Sequence, residues 1–358
     1  MLIKTLLQVT FGNIYEKSDG YLIRGELIHR LFIEKLQVET FQIVNKSYPN
    51  LTNCIITRHF ISKVIALIFA PLLLIKQIKK SDSILIEGSM FLCFAFASKL
   101  MRKKVIFDPQ GAMALLGKRE RKSLYNTIAR RIIGNTLDYI ASHISDVILF
   151  VSNDDMAFFI KNYKIEETKA KLVRLVVEVS EPCKKMLKRK NQLVFIGNLN
   201  SIQNKTAAEF IIKDLAPNLQ EYNFIIIGKG KSRFEHNLNN IHLTGFMEDP
   251  KEVICSSSIA IVPLISGTGV KTKILYFLSL GIPVITTQIG AEGLINTKSI
   301  LNKGLFISDI QNFLENIKKA CEVSGQLNPT DLRNYVIENH STDSMRKDIE
   351  NIFHEIIS

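Results

Sequence analysis

Thirteen short apolar runs, rich in β-branched residues, recur along the chain at intervals that leave room for helices. In the first half they are "KTLLQVT" (residues 4–10), "TFQIVN" (40–45), "NCIIT" (53–57), "SILIE" (83–87), "KVIFD" (104–108), "DVILFVS" (146–152) and "KLVRLVV" (171–177). After the basic linker "EVSEPCKKMLKRKNQ" (178–192) a second series follows. It comprises "LVFIG" (193–197), "NFIIIG" (223–228), "IHLTG" (241–245), "SIAIVP" (258–263), "PVITT" (283–287) and "KGLFI" (303–307). The runs are continuous rather than alternating, which predicts strands covered on both faces: parallel sheets with crossover helices. A helix is expected from about Tyr21 to Leu36. The two series predict an α/β protein of two Rossmann-like, doubly wound domains, whose ligands bind at the carboxyl ends of the strands.

A length of 358 residues fits two cores better than one. With 46% apolar and 22% charged residues the composition is globular. "MLIKTLLQVTFG" is too short in its apolar run for a signal peptide and reads as a first buried strand. The most apolar stretch, residues 64–75, is too short to span a membrane and is interrupted by Pro71, so a buried core helix is expected. Five cysteines without metal spacing read as reduced cytosolic thiols.

Charge is uneven. Residues 1–190 hold 31 Lys and Arg against 17 Asp and Glu, whereas the remainder holds 15 against 17. Clusters at 76–80, 101–104, 117–122 and 184–190 favour an anionic partner, either nucleic acid or a membrane surface. Many of these charges also fit solvated helix faces. No aromatic interleaving, zinc, RNP or helix-turn-helix signature supports nucleic acid, so an anionic membrane surface is the preferred partner.

The chemistry concentrates in "GTGVKTKILYFLSLGIPVITTQIGAEGL" (residues 267–294). Gly267 and Gly269 let backbone amides approach a ligand. A helix beginning near Val270 offers free N–H groups and a positive dipole end, which suit phosphate. Lys271 and Lys273 add charge where cations are unfavourable without an anion. Gly281 is expected to end the helix and Pro283 to begin a strand. An ordinary βα turn with two solvated lysines fits these residues equally well.

This segment resembles the donor site of GT-B glycosyltransferases, especially retaining enzymes of family GT4. Residues 193–219, 224–230, 241–264 and 146–155 resemble further markers of that family in the right order. The resemblance is specific over 190–310 and loose in the first half. It implies a GT-B fold: an acceptor-side domain (1–178), a linker (179–192), a nucleotide-sugar domain (193–330) and C-terminal helices (331–358) packing back on the first domain, with a cleft between the domains. It implies transfer of a sugar with retention from a nucleotide-diphospho-sugar to a carbohydrate or lipid-linked acceptor, in surface polysaccharide or glycolipid synthesis. No cofactor or metal is implied, and the protein is expected in the cytoplasm, at the inner face of the membrane.

Carried over by position, the resemblance assigns the diphosphate to Gly267, Thr268, Gly269, Val270, Lys271 and Lys273. It assigns the nucleoside and sugar to Tyr276, Glu292, Asn198, Lys205 and Gly228, and the acceptor side of the cleft to Gly12, Gly20, Arg24 and Glu87. Asp108 and Gln110 are the candidates for catalysis. Several positions depart from the family pattern. Asn198 and Asn204 replace a usual Arg and Lys, Tyr276 and Thr268 replace glutamates, and Gln110 replaces a histidine. Asp108 also fits a turn cap, Arg24 a surface charge and Tyr276 a core residue. The departures raise a rival reading, a catalytically inactive GT-B partner or scaffold of an active transferase. A nucleotide-sugar epimerase is disfavoured, because the paired carboxylates and histidines it needs are not evident.

Overall fold

The computed structural model describes residues 4–15, 20–49, 51, 53–111, 124–183, 191–267 and 269–357. The basic clusters at 117–122 and 184–190 lie outside the described residues. The chain falls into two compact units.

The first unit takes in the described residues up to 111, then 124–175 and 345–357. Its seven strands are β1 (Thr5–Phe11), β2 (Gln37–Val44), β3 (Cys54–Ile56), β4 (Ser83–Glu87), β5 (Lys104–Asp108), β6 (Val147–Phe150) and β7 (Ala170–Leu172). They form one parallel sheet in the order β3-β2-β1-β4-β5-β6-β7. Helices α1 (Gly20–Ile33), α2 (Phe60–Leu73), α3 (Ile75–Lys80), α4 (Leu92–Leu100), α5 (Leu124–Ile144) and α6 (Asn153–Tyr163) connect them. Strands β4 and β5 are buried almost throughout, as their unbroken apolar runs require.

The second unit, residues 176–344, repeats the plan. Strands β8 (Gln192–Ile196), β9 (Asn223–Ile227), β10 (Ile241–Gly245), β11 (Ile259–Val262), β12 (Val284–Thr286) and β13 (Leu305–Ile307) form a parallel sheet in the order β10-β9-β8-β11-β12-β13. Its helices are α7 (Ile202–Phe210), α8 (Lys251–Cys255), α9 (Thr272–Ser279), α10 (Gln288–Ala291), α11 (Phe313–Ser324) and α12 (Pro329–His340). The strand order reverses between β1 and β4 in one sheet and between β8 and β11 in the other. Those switch points are where open α/β sheets leave room for ligands.

Three expectations are corrected. Helix α2 is not a buried core helix: Ala66, Leu67 and Ala70 are buried, but Ile61, Ile65, Ile68, Phe69, Leu72 and Leu73 are at least 50% exposed. One face suffices to cover the sheet, and the apolar run continues around the other. Two of the five cysteines are not free thiols, because Cys183 and Cys255 form a disulfide. Their Cα atoms stand 5.5 Å apart, within bridging reach, a proximity that 72 residues of sequence separation conceal.

The third correction concerns the C-terminal helices, which divide between the units rather than all joining the first. Helix α12 packs on α9 in the second unit, where Tyr335 donates to the Ile295 carbonyl at 2.7 Å. The last helix, α13 (Thr342–Ile357), belongs to the first unit from Met345 onward. It buries Met345, Ile349, Ile352 and Ile356, one face at helical spacing. Arg174 grips Asp348 at 2.6 Å, and Lys171, Lys35 and Glu34 pair with Glu355, Glu350 and Arg346.

Candidate functional site

In the second unit, β11 delivers the chain to Gly267 (φ 108°) and Gly269 (φ 68°), left-handed conformations that side chains resist. Lys271 forms the N-cap of α9 and is only 7% exposed; its Nζ donates to the Gly269 carbonyl at 2.5 Å. Lys273, in the first turn, reaches across to α7 and donates to Asn204 Oδ1 at 2.5 Å. Its ammonium also lies 4.6 Å from the centre of the Phe195 ring. Burial, and then the charge of Lys271, push the Lys273 pKa down to about 7. Two cations thus crowd the positive end of a helix, an arrangement that an anion would relieve.

The floor of this corner is backbone. Gly197 follows β8, and a Cβ there would stand 2.7 Å from both Lys273 Nζ and Asn204 Cγ. A Cβ on Gly228 would meet the Gly197 carbonyl oxygen at 1.8 Å. Asn198 shapes the following turn: its Oδ1 accepts from the Asn200 amide at 3.1 Å, and its carbonyl accepts from Asn204 Nδ2 at 3.1 Å. Gln203 Oε1 approaches within 3.2 Å of a Cβ built on Gly267, so α7 and the glycine loop meet here.

In the first unit, polar groups gather at the carboxyl ends of β4 and β5. Arg24 of α1 is 1% exposed and donates through Nε to Asp108 Oδ2 at 2.7 Å and through Nη1 to the Val173 carbonyl at 2.6 Å. Its Nη2 is buried without a hydrogen-bond partner among the described residues. The second Asp108 oxygen accepts from the Gln110 amide at 3.1 Å. Glu87 accepts from Gln8 Nε2 at 2.6 Å and from Gln110 Nε2 at 3.2 Å. Burial, and then the nearby Asp108 charge, raise its pKa to about 7. Burial likewise raises Asp108, opposed by Arg24, and lowers His29, whose Nδ1 lies 3.1 Å from Gln8 Oε1.

Residues 190–322 match the family model described as glycosyl transferases group 1. Solved structures align over essentially the whole chain. A glycosyltransferase from Rickettsia africae is 17% identical, with a TM-score of 0.72 and 100% of both chains covered. Sucrose-phosphate synthase from Thermosynechococcus elongatus is 11% identical, with a TM-score of 0.74 and 98% of both chains covered. The fold is GT-B. A third GT-B structure, Anabaena HepE in complex with UDP-glucose, is 12% identical at a TM-score of 0.70, covering 97% of this chain and 99% of its own. No curated protein sequence matches the chain.

Within this GT-B fold the expected residues fall into two groups. Gly267, Gly269, Val270, Lys271, Lys273, Asn198 and Gly228 converge on the second unit's corner, and Arg24, Glu87, Asp108 and Gln110 on the first unit's cluster. Gly12 follows β1 with φ 76°, its amide bonded to the Ile43 carbonyl at 2.9 Å. Gly20 begins α1, and Thr268 lies outside the described residues. Lys205 is set apart, 43% exposed and 3.7 Å from Glu209 on its own helix. Glu292 caps the C-terminus of α10.

Tyr276 is half-buried, while Ile274, Leu275, Phe277 and Leu278 of the same helix are fully buried. Tyr276 is therefore not one of the core positions of α9. Its phenol pKa is raised by burial and then by the charge of Asp249. Arg24 is likewise no surface charge, and both Asp108 oxygens are engaged, one by Arg24 and one by the Gln110 amide. Gln8, His29, Gln203 and Asp249 escaped the sequence reading. Each acts on a partner at least 21 residues away, which local spacing does not reveal.

Proposed function

We propose that the protein is a glycosyltransferase that takes a sugar from a nucleotide-diphospho-sugar and passes it to a carbohydrate or lipid-linked acceptor. The observation that carries this reading is the pair Lys271 and Lys273 at the start of α9, beside two left-handed glycines. Amide groups and two ammonium groups there suit a diphosphate, whose charge grows as the sugar departs. Those residues neutralise the leaving group without a metal. UDP-sugars are the first donors to test, since HepE is seen with UDP-glucose.

Tyr276, on α9 after the glycine loop, supplies a phenol that can hydrogen-bond a ribose hydroxyl. Retention of configuration follows the GT4 resemblance, the departing phosphate oxygen taking the acceptor proton. Glu87, poised near neutrality, is the acceptor-side group suited to proton exchange. Surface polysaccharide or glycolipid synthesis at the inner membrane face is the corresponding role. No helix is long and apolar enough among the described residues to cross a membrane.

The rival, a non-catalytic partner of an active transferase, draws on Tyr276 and Gln110. Calorimetry with a panel of UDP-, GDP-, TDP- and CMP-sugars separates the two. Binding of one donor, lost in Lys271→Ala, supports the enzyme. A folded protein that binds none supports the partner.

A further inference from the structure

Helix α2 leaves a continuous apolar face in water. Ile61, Ile65, Ile68 and Leu72 recur at helical spacing, with Phe69 and Leu73 beside them, over about 18 Å of helix. Helix α4, packed on α2, adds Phe96 (48% exposed) and Leu100 (86% exposed). Contiguous apolar surface of this kind marks a docking site.

The charge around it selects the partner. From Arg58 to Ser81 the chain has no Asp or Glu, but carries Arg58, Lys63, Lys76, Lys79 and Lys80. Lys63 stays with the protein, its Nζ 4.0 Å from the Phe11 ring centre. Lys76, Lys79 and Lys80 on the adjoining α3 are exposed. In a two-fold dimer through this face, the two sets of lysines would meet without an acidic residue in the segment to pair with. An anionic bilayer satisfies both halves of the surface at once.

We propose that α2 and α3 dock the protein on an anionic lipid bilayer. Helix α2 lies in the interfacial plane with its exposed side chains in the acyl boundary, and the α3 lysines meet lipid phosphates. This deepens the proposed function by naming the surface that brings a lipid-linked acceptor near, but the surface itself stands on α2, α3 and α4, independently of the donor site.

Flotation of the full chain with phosphatidylglycerol-containing and pure phosphatidylcholine vesicles tests it. Wild type is expected to float with the anionic vesicles. An Ile65→Ser, Ile68→Ser, Leu72→Ser variant is expected to lose more than about tenfold in partition. Lys76→Ala, Lys79→Ala and Lys80→Ala are each expected to lose about fivefold at low salt. UDP-glucose titration and circular dichroism on the same variants report donor binding and folding separately. Wild type that stays in solution, or a serine variant that floats as wild type does, overturns the proposal. So does a wild-type dimer that the serine variant converts to monomer, which would assign the face to a second copy. Vesicle binding without binding of any nucleotide sugar would leave the docking surface standing and remove the donor reading.

Discussion

Lys273 Nζ lies 2.5 Å from Asn204 Oδ1, joining the start of α9 to α7 across the end of β8. The sequence lacks the basic pair that the GT4 resemblance implies at the positions of Asn198 and Asn204. Here a lysine from the opposite loop occupies the space beside Asn204, so the corner keeps its positive charge with a different side chain.

Donor binding should take up a proton. The free protein holds the Lys273 pKa near 7, and a bound diphosphate favours the cation, raising it. Affinity should therefore fall as pH rises above about 7. Calorimetry at about pH 8 in buffers of different ionisation enthalpy should show proton uptake, which Lys273→Met should abolish.

Tyr276→Phe should weaken donor binding about five- to tenfold, the worth of one hydrogen bond, with little change in thermal stability. Tyr276→Glu, although it restores the residue that the GT4 resemblance implies, should also weaken binding, since the charge of Asp249 that acts on this position disfavours a second anion. Isothermal titration of both variants checks this, and tighter binding by the glutamate variant would refute the repulsion expected from Asp249.

Breaking the Arg24–Asp108 pair should cost about 3 to 5 kcal/mol, because the remaining charge is buried without its partner. Arg24→Met combined with Asp108→Leu should recover much of that loss. Urea unfolding of the two single variants and the double variant measures the coupling.

Glu87 has a folded pKa of about 7, above its ordinary value of 4.5, so the folded state binds more protons between those limits. Its contribution to stability is complete below pH 4.5 and is lost as pH rises through about 7. Glu87→Gln should flatten the stability profile over that window, measured by urea unfolding at about pH 5 and about pH 8.

Gly228→Ala should destabilise by about 2 to 3 kcal/mol, because its Cβ would collide with the Gly197 carbonyl oxygen. A lowered thermal midpoint in calorimetry is the expected result.

Continuous β-branched runs such as "SILIE" and "KVIFD" determined the parallel sheets, since burial on both faces leaves no alternation to read. The left-handed glycines and the lysines of the 267–273 loop were legible too, because turn chemistry and helix ends are local. Only the tertiary structure decided that Lys273 meets Asn204, that Cys183 meets Cys255 and that α2 bares six large apolar side chains. Each of these depends on which segments the two sheets bring side by side, and contacts between residues as much as 72 positions apart leave no periodic trace in the chain.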